Sequence, residues 1–327
     1  MITKQKSLFV LLFVILICGC SKEDLNAQSS KRNGQEATMN NQTGFTLSVP
    51  AEYTRQASQR GSVTRLDYTS KDYAGNEKSI SKTAYVYTPY GYSDKGTERY
   101  DVLYLMHGWG GHAGEYFEMA EIKNVFDNLI EKGKVKPLIV VSATFYNANS
   151  GSDFGSSVAE LRSFHNDFEK HLMPAAEGKY RTYAVSTSDA DLKASRSHRA
   201  FGGFSLGSVT TWLEFCHDAD YISSFIPMSG SSWYYGGFGD FQIKKNVDFI
   251  EQLVIQNKLN ERGYFIYHAV GTNDAVKEQS LMMAEEMLSR KTFSAEHYRF
   301  FQKQGGVHDH FAVREFLYNV LPLIFGK

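Results

Sequence analysis

The sequence predicts an α/β fold: a mostly parallel central sheet with helices on both faces and an antiparallel strand pair on its N-terminal side. Three observations carry this. The runs at 101–106, 138–143 and 264–270 are almost continuously apolar, as strands buried on both faces should be. Helical patterns at 116–132, 158–172, 278–290 and 311–325 alternate with strands, which is the rhythm of α/β units. Finally, Gly203-Phe-Ser-Leu-Gly207 fits G-x-S-x-G, between a short strand at 198–201 and an apolar helix start at 209–216.

Residues 1–19 read as a signal segment and stand apart from the fold. Lys4 and Lys6 give a positive start, and residues 8–17 form an apolar run too short to reside across a membrane. Ile17-Cys18-Gly19-Cys20 resembles a bacterial lipobox, which makes Cys20 the expected lipidation site. The acidic start Ser21-Lys-Glu-Asp24 resembles a lipoprotein surface-export signal. The expected location is the bacterial outer membrane, at the cell surface or periplasmic face, with membrane contact through the lipid alone. Residues 20–45 lack hydrophobic periodicity and read as a flexible tether behind the lipidated cysteine. Residues 46–327 then suit a single domain, with no internal repeat and no second linker.

Charge and cysteine content narrow the function. Loss of Lys4 and Lys6 leaves 33 basic and 36 acidic side chains, and no basic run interrupts that balance. Nucleic-acid binding is therefore not expected. Of the three cysteines only Cys216 lies beyond the lipobox, so no intrachain disulfide is expected, and Cys216 reads as a small buried apolar residue.

Taken in order, 62–68 and 81–87 alternate around Ala74-Gly-Asn76, an antiparallel pair. Strand 101–106 ends in His107-Gly-Trp-Gly-Gly111, whose glycines let backbone approach a substrate. His107 is expected to hold this turn and His112 to be structural or at the rim. Helix 116–132 leads to strand 138–143, and 144–149 follows at that strand's C-terminal end, where clefts form in open α/β sheets. Helix 158–172 is expected to end at Met173-Pro174. A strand at 221–228 follows the serine helix. Ser229-Gly-Ser-Ser-Trp-Tyr-Tyr-Gly-Gly-Phe-Gly239 reads as a mobile, aromatic-walled rim, with Trp233, Tyr234 and Tyr235 as candidate substrate contacts; the alternative is an irregular loop with buried aromatics. Strand 264–270 ends in Gly271-Thr-Asn-Asp274, and strand 297–301 precedes Gly305-Gly-Val-His-Asp-His310.

This is the order Ser…Asp…His of the α/β-hydrolase fold. Ser205 is the candidate nucleophile, His308 the base in preference to His310, and Asp274 the acid in preference to Asp240 and Asp248. The amides of Trp109 and Leu206 are the expected oxyanion donors. The scheme needs no metal or organic cofactor, and the His308-x-His310 pair lacks the accompanying ligands of a metal site.

His107-Gly-Trp-Gly-Gly111, Gly203-Phe-Ser-Leu-Gly-Ser208, Gly271-Thr-Asn-Asp274, Gly306-Val-His-Asp309 and Pro174-Ala-Ala-Glu-Gly-Lys-Tyr-Arg181 together resemble carbohydrate esterase family 1. Within it the chain is similar to the feruloyl esterase domains of bacterial xylanases, from about residue 60 to the C-terminus. The resemblance implies hydrolysis of ferulate or related hydroxycinnamates from xylan side chains, with feruloylated or acetylated plant cell-wall polysaccharide or oligosaccharide as partner. Ser208 where many relatives carry glycine, and Leu206 where methionine is common, are its departures. Acetylxylan esterase, an enterochelin-esterase-like hydrolase and a non-catalytic carbohydrate-binding lipoprotein are the competing readings.

Overall fold

A computed structural model describes residues 42–147 and 153–326. The expected signal segment, Cys20 and the tether up to residue 41 lie outside the described residues.

Nine strands form one sheet: β1 (Thr43–Phe45), β2 (Ser62–Lys71), β3 (Ser79–Thr88), β4 (Asp101–Met106), β5 (Leu138–Ala143), β6 (Arg199–Phe204), β7 (Ser224–Met228), β8 (Phe265–Gly271) and β9 (Tyr298–Lys303). Their order is β1-β9-β8-β7-β6-β4-β5-β3-β2. The pairs from β1 to β5 through β4 are parallel, whereas β2 with β3 and β3 with β5 are antiparallel. This is the α/β-hydrolase arrangement expected from the sequence.

Side-chain alternation along each strand feeds two cores. Val102, Tyr104 and Met106 of β4 enter the core on one face, while Leu103 and Leu105 enter the core on the other. The helices that close the first face include α4 (Phe154–Asp167), α7 (Leu206–Asp218), α8 (Ile243–Gln256) and α10 (Lys277–Leu288). Those of the second include α3 (Ile122–Glu131) and α11 (His310–Phe325). Among the described residues no helix is long and apolar enough to cross a membrane.

Three expectations need correction. The tether ends early, because Thr43–Phe45 pairs in parallel with β9 and its backbone covers that sheet edge. Helix 116–132 is two pieces, α2 (Glu115–Glu118) and α3, since Ala120 and Glu121 adopt φ of 50° and 54°. Arg314 Nη1 donates to the Ala120 carbonyl at 3.2 Å, a distant contact that local sequence does not advertise. Helix 158–172 does not end at Pro174. A π-turn at Phe168–Leu172 intervenes, and helix α5 (Met173–Lys179) continues with Pro174 in its first turn. The widened turn accommodates a residue without an amide donor. Residues 243–256 form α8, with Val247, Ile250 and Val254 buried on one stripe.

Candidate active site

β6 and β4 are neighbours in the sheet, and the chain departs from them in opposite directions, β4 towards β5 and β6 towards β7. That switch point opens a crevice at the C-terminal ends of both strands. Ser205 follows β6 there, and the His107–Gly111 turn follows β4.

Glycine governs the approach. Ser205 sits at φ 60° and ψ −118°, a strained conformation that only its surroundings hold in place. A Cβ on Gly207 would collide with the carbonyl of Met106, and one on Gly203 with the carbonyl of Gly207. Gly108 comes so near that a Cβ there would lie 3.0 Å from Cβ of Ser205. The residue after it is Trp109, and the residue after Ser205 is Leu206, the first of α7. Among the described residues neither of those two backbone amides has a protein acceptor.

His308 arrives from the loop after β9, and Asp274 from the loop after β8. His308 Nε2 lies 2.9 Å from Ser205 Oγ, and His308 Nδ1 lies 2.9 Å from Asp274 Oδ1. Asp274 is 3 % exposed and also accepts from the Val276 amide at 2.9 Å. Burial pushes its carboxyl pKa upward, but the bond and charge of His308, with help from the Val276 amide and the neighbouring Ser229 hydroxyl, hold it below the usual carboxylate range. An ionised Asp274 fixes the proton on Nδ1, so Nε2 is free to accept from the Ser205 hydroxyl. His310 is turned elsewhere: its Nε2 lies 3.1 Å from Glu115 Oε1.

His107 is fully buried, with Nδ1 2.7 Å from the Gly108 carbonyl oxygen and Nε2 2.7 Å from Thr144 Oγ1. Burial lowers its pKa to about 4, so it stays neutral and pins the turn. His112 is at the surface beside Glu118. Sequence reasoning missed Tyr146, whose hydroxyl accepts from the Gly110 amide at 2.8 Å and so supports the same turn. Its place just past the C-terminal end of β5 was the available signal.

The aromatic segment differs from expectation. Trp233 is 3 % exposed and donates its indole N–H to Gln279 Oε1 at 3.0 Å. Tyr234 stacks on Phe249 of α8 at 4.1 Å, and Lys245 lies 4.1 Å from the centre of the Tyr235 ring. The segment is thus packed against α8 and α10 rather than standing as a free rim. Exposed aromatic surface comes instead from Trp109 and Phe238, each 43 % exposed and each edge-on to Phe154, at 5.5 and 6.1 Å. Among the described residues no cluster of three His, Cys, Asp or Glu could hold a metal ion.

The model of the Esterase family matches residues 79–317, most of the chain and all of this site. The chain belongs to the Esterase family. This esterase is 31 % identical over 286 residues to endo-1,4-beta-xylanase Y of Acetivibrio thermocellus, covering 85 % of this chain and 24 % of that protein. It is 37 % identical over 120 residues to an endo-1,4-beta-xylanase/feruloyl esterase of Xylanibacter ruminicola, covering 36 % of this chain and 14 % of that protein. The chain therefore spans a quarter or less of the length of these relatives. Among solved structures, it resembles a serine-to-alanine variant of the feruloyl esterase module from Clostridium thermocellum, complexed with sinapinate. That likeness has a TM-score of 0.75 at 30 % identity, covering 86 % of this chain and 93 % of the module. A carbohydrate esterase family 1 ferulic acid esterase from Anaeromyces mucronatus, 20 % identical with a TM-score of 0.67, shares the fold, with 86 % of this chain and 98 % of that one covered. The resemblance to carbohydrate esterase family 1 carried by the motifs therefore holds.

Proposed function

We propose that this esterase removes ferulate or related hydroxycinnamoyl groups from xylan side chains through an acyl-enzyme on Ser205. The observation that carries the proposal is the chain of hydrogen bonds from Ser205 through His308 to Asp274. Its kinship at 30 % identity with a module that binds sinapinate, a hydroxycinnamate, supports the acyl group.

In this scheme Ser205 Oγ attacks the ester carbonyl and its proton passes to His308 Nε2. Asp274 stabilises the imidazolium, and the amides of Trp109 and Leu206 receive the oxyanion, about 3 kcal/mol for each such donor. His308 then returns the proton to the sugar oxygen, and the alcohol leaves. Water, deprotonated by His308, attacks the acyl-enzyme, and the carboxylic acid departs with Ser205 restored. The exposed face of Trp109 is the proposed substrate wall, linked to the buried Trp233 through Phe154 and Phe238 in turn. Tyr234 and Tyr235 face α8 and are left out of this role.

Methyl ferulate beside 4-nitrophenyl acetate tests the acyl group. Serine-dependent cleavage of both is expected. Cleavage of the acetate alone would replace this reading with an acetylxylan esterase. For the enterochelin-esterase alternative, an enterobactin esterase from Shigella flexneri shares only the fold, at 13 % identity. We further propose attachment to the outer membrane through lipid on Cys20; Cys20→Ala should release the protein from membranes, and unchanged membrane fractionation would refute the anchor.

A further inference from the structure

Glu115 and His310 take no part in the reaction scheme, yet each belongs to one of the two loops that carry it. Glu115 opens α2 directly after the oxyanion turn and is 5 % exposed. Its Oε1 lies 3.1 Å from His310 Nε2, while its Oε2 presses on Gly111 so closely that a Cβ there would collide with it. His310 opens α11 two residues after His308. The rings of His308 and His310 both rest on Phe204, the residue before the nucleophile, at 4.5 and 5.5 Å.

These loops have no direct register in the sheet. β8, β7 and β6 stand between β9, which leads to His308, and β4, which leads to Trp109. The distance from base to oxyanion donor is therefore left to contacts above the strand ends. Glu115–His310 is such a contact. A buried carboxylate with a ring N–H donor holds one geometry more firmly than exposed pairs do. We infer that Glu115 and His310 form a positioning pair that fixes the Trp109 amide relative to His308 across Ser205.

The inference rests on Ser205 and His308 being the catalytic pair, so its test uses readouts that do not depend on the natural acyl group. His310→Ala, His310→Gln, Glu115→Gln and the double variant Glu115→Gln/His310→Ala would be compared with wild type. The measurements are kcat and KM on methyl ferulate and 4-nitrophenyl acetate, the rate of Ser205 labelling by a fluorophosphonate, and melting temperature. His310→Ala should lower kcat and labelling rate about tenfold on every probe with KM changed less than about twofold, because misplacement harms the transition state more than ground-state binding. His310→Gln, which keeps a donor, should recover most of that loss. The double variant should be no worse than His310→Ala, since without His310 the change at Glu115 has no contact left to weaken.

A folded His310→Ala enzyme with kcat within twofold of wild type would overturn the inference. So would a raised KM at unchanged kcat, or losses that multiply in the double variant. Should His310→Ala fail to fold, Glu115→Ala, which removes the acceptor, decides by the same criteria. Wild-type protein active on the acetate but inert to methyl ferulate would refute the feruloyl reading and still leave the variant ratios readable.

Discussion

Ser205 holds a strained conformation against its own backbone preference, and neighbouring residues supply the restraint. That dependence makes the histidines separable by mutation. His308→Ala should lower turnover at least about a thousandfold, since it removes both the base and the acid of the scheme. His310→Ala should lower it far less, and the reverse ranking in kcat would assign the base to His310. Ser205, Asp274 and His308 were legible in the sequence because each follows a recognisable strand at a glycine-rich turn. Trp233, Tyr234 and Tyr235 were misread, because aromatics among glycines look alike whether they line a cleft or pack on a helix. What decides between those cases is Phe249 and Asn246 of α8, distant partners whose contacts no local pattern announces.

At the scale of elements, close backbone crossings define the site more than side chains do. Gly207→Ala sets a methyl group against the Met106 carbonyl, so the elbow and β4 must separate. It should cost several kcal/mol of stability or abolish soluble expression, which a urea melt would read. A wild-type melt would show that the turn relaxes freely. β1 offers a milder test. Deleting residues 1–47 removes the strand that pairs with β9, the strand leading to His308, and should lower the melting temperature by a few degrees. No change would mean the strand contributes nothing. Most elements were legible from apolar runs and helical spacing. The split of α2 from α3 was not, because no glycine or proline marks Ala120 and Glu121 and the break is secured from α11. The stripe of α8 is written in Val247, Ile250 and Val254 at helical spacing.

Across the whole molecule, the sheet's order explains how four distant segments, after β4, β6, β8 and β9, converge on one crevice. The same packing leaves ionisable groups inside. Burial lowers the pKa of His268 to about 3 and of His107 to about 4, so the unfolded chain binds more protons below about pH 6.5 and acid destabilises through them. Glu214 on α7 acts in the opposite sense. Burial first, the charge of Asp218 second and a hydrogen bond with the Asp218 carboxyl third raise its pKa. Its folded state keeps the proton longer, so stability is lost as pH rises above the ordinary carboxyl range. Glu214→Gln should therefore stabilise the protein at pH 8, with a gain that shrinks below about pH 4. A destabilised variant at pH 8 would contradict that account.

The most direct test of the central claim is turnover of methyl ferulate by purified wild-type protein and Ser205→Ala, each with its melting curve. The account predicts loss of at least about four orders of magnitude in kcat with the melt unchanged. A folded Ser205→Ala protein that turns over within tenfold of wild type would contradict it, and the nucleophile would have to be sought elsewhere.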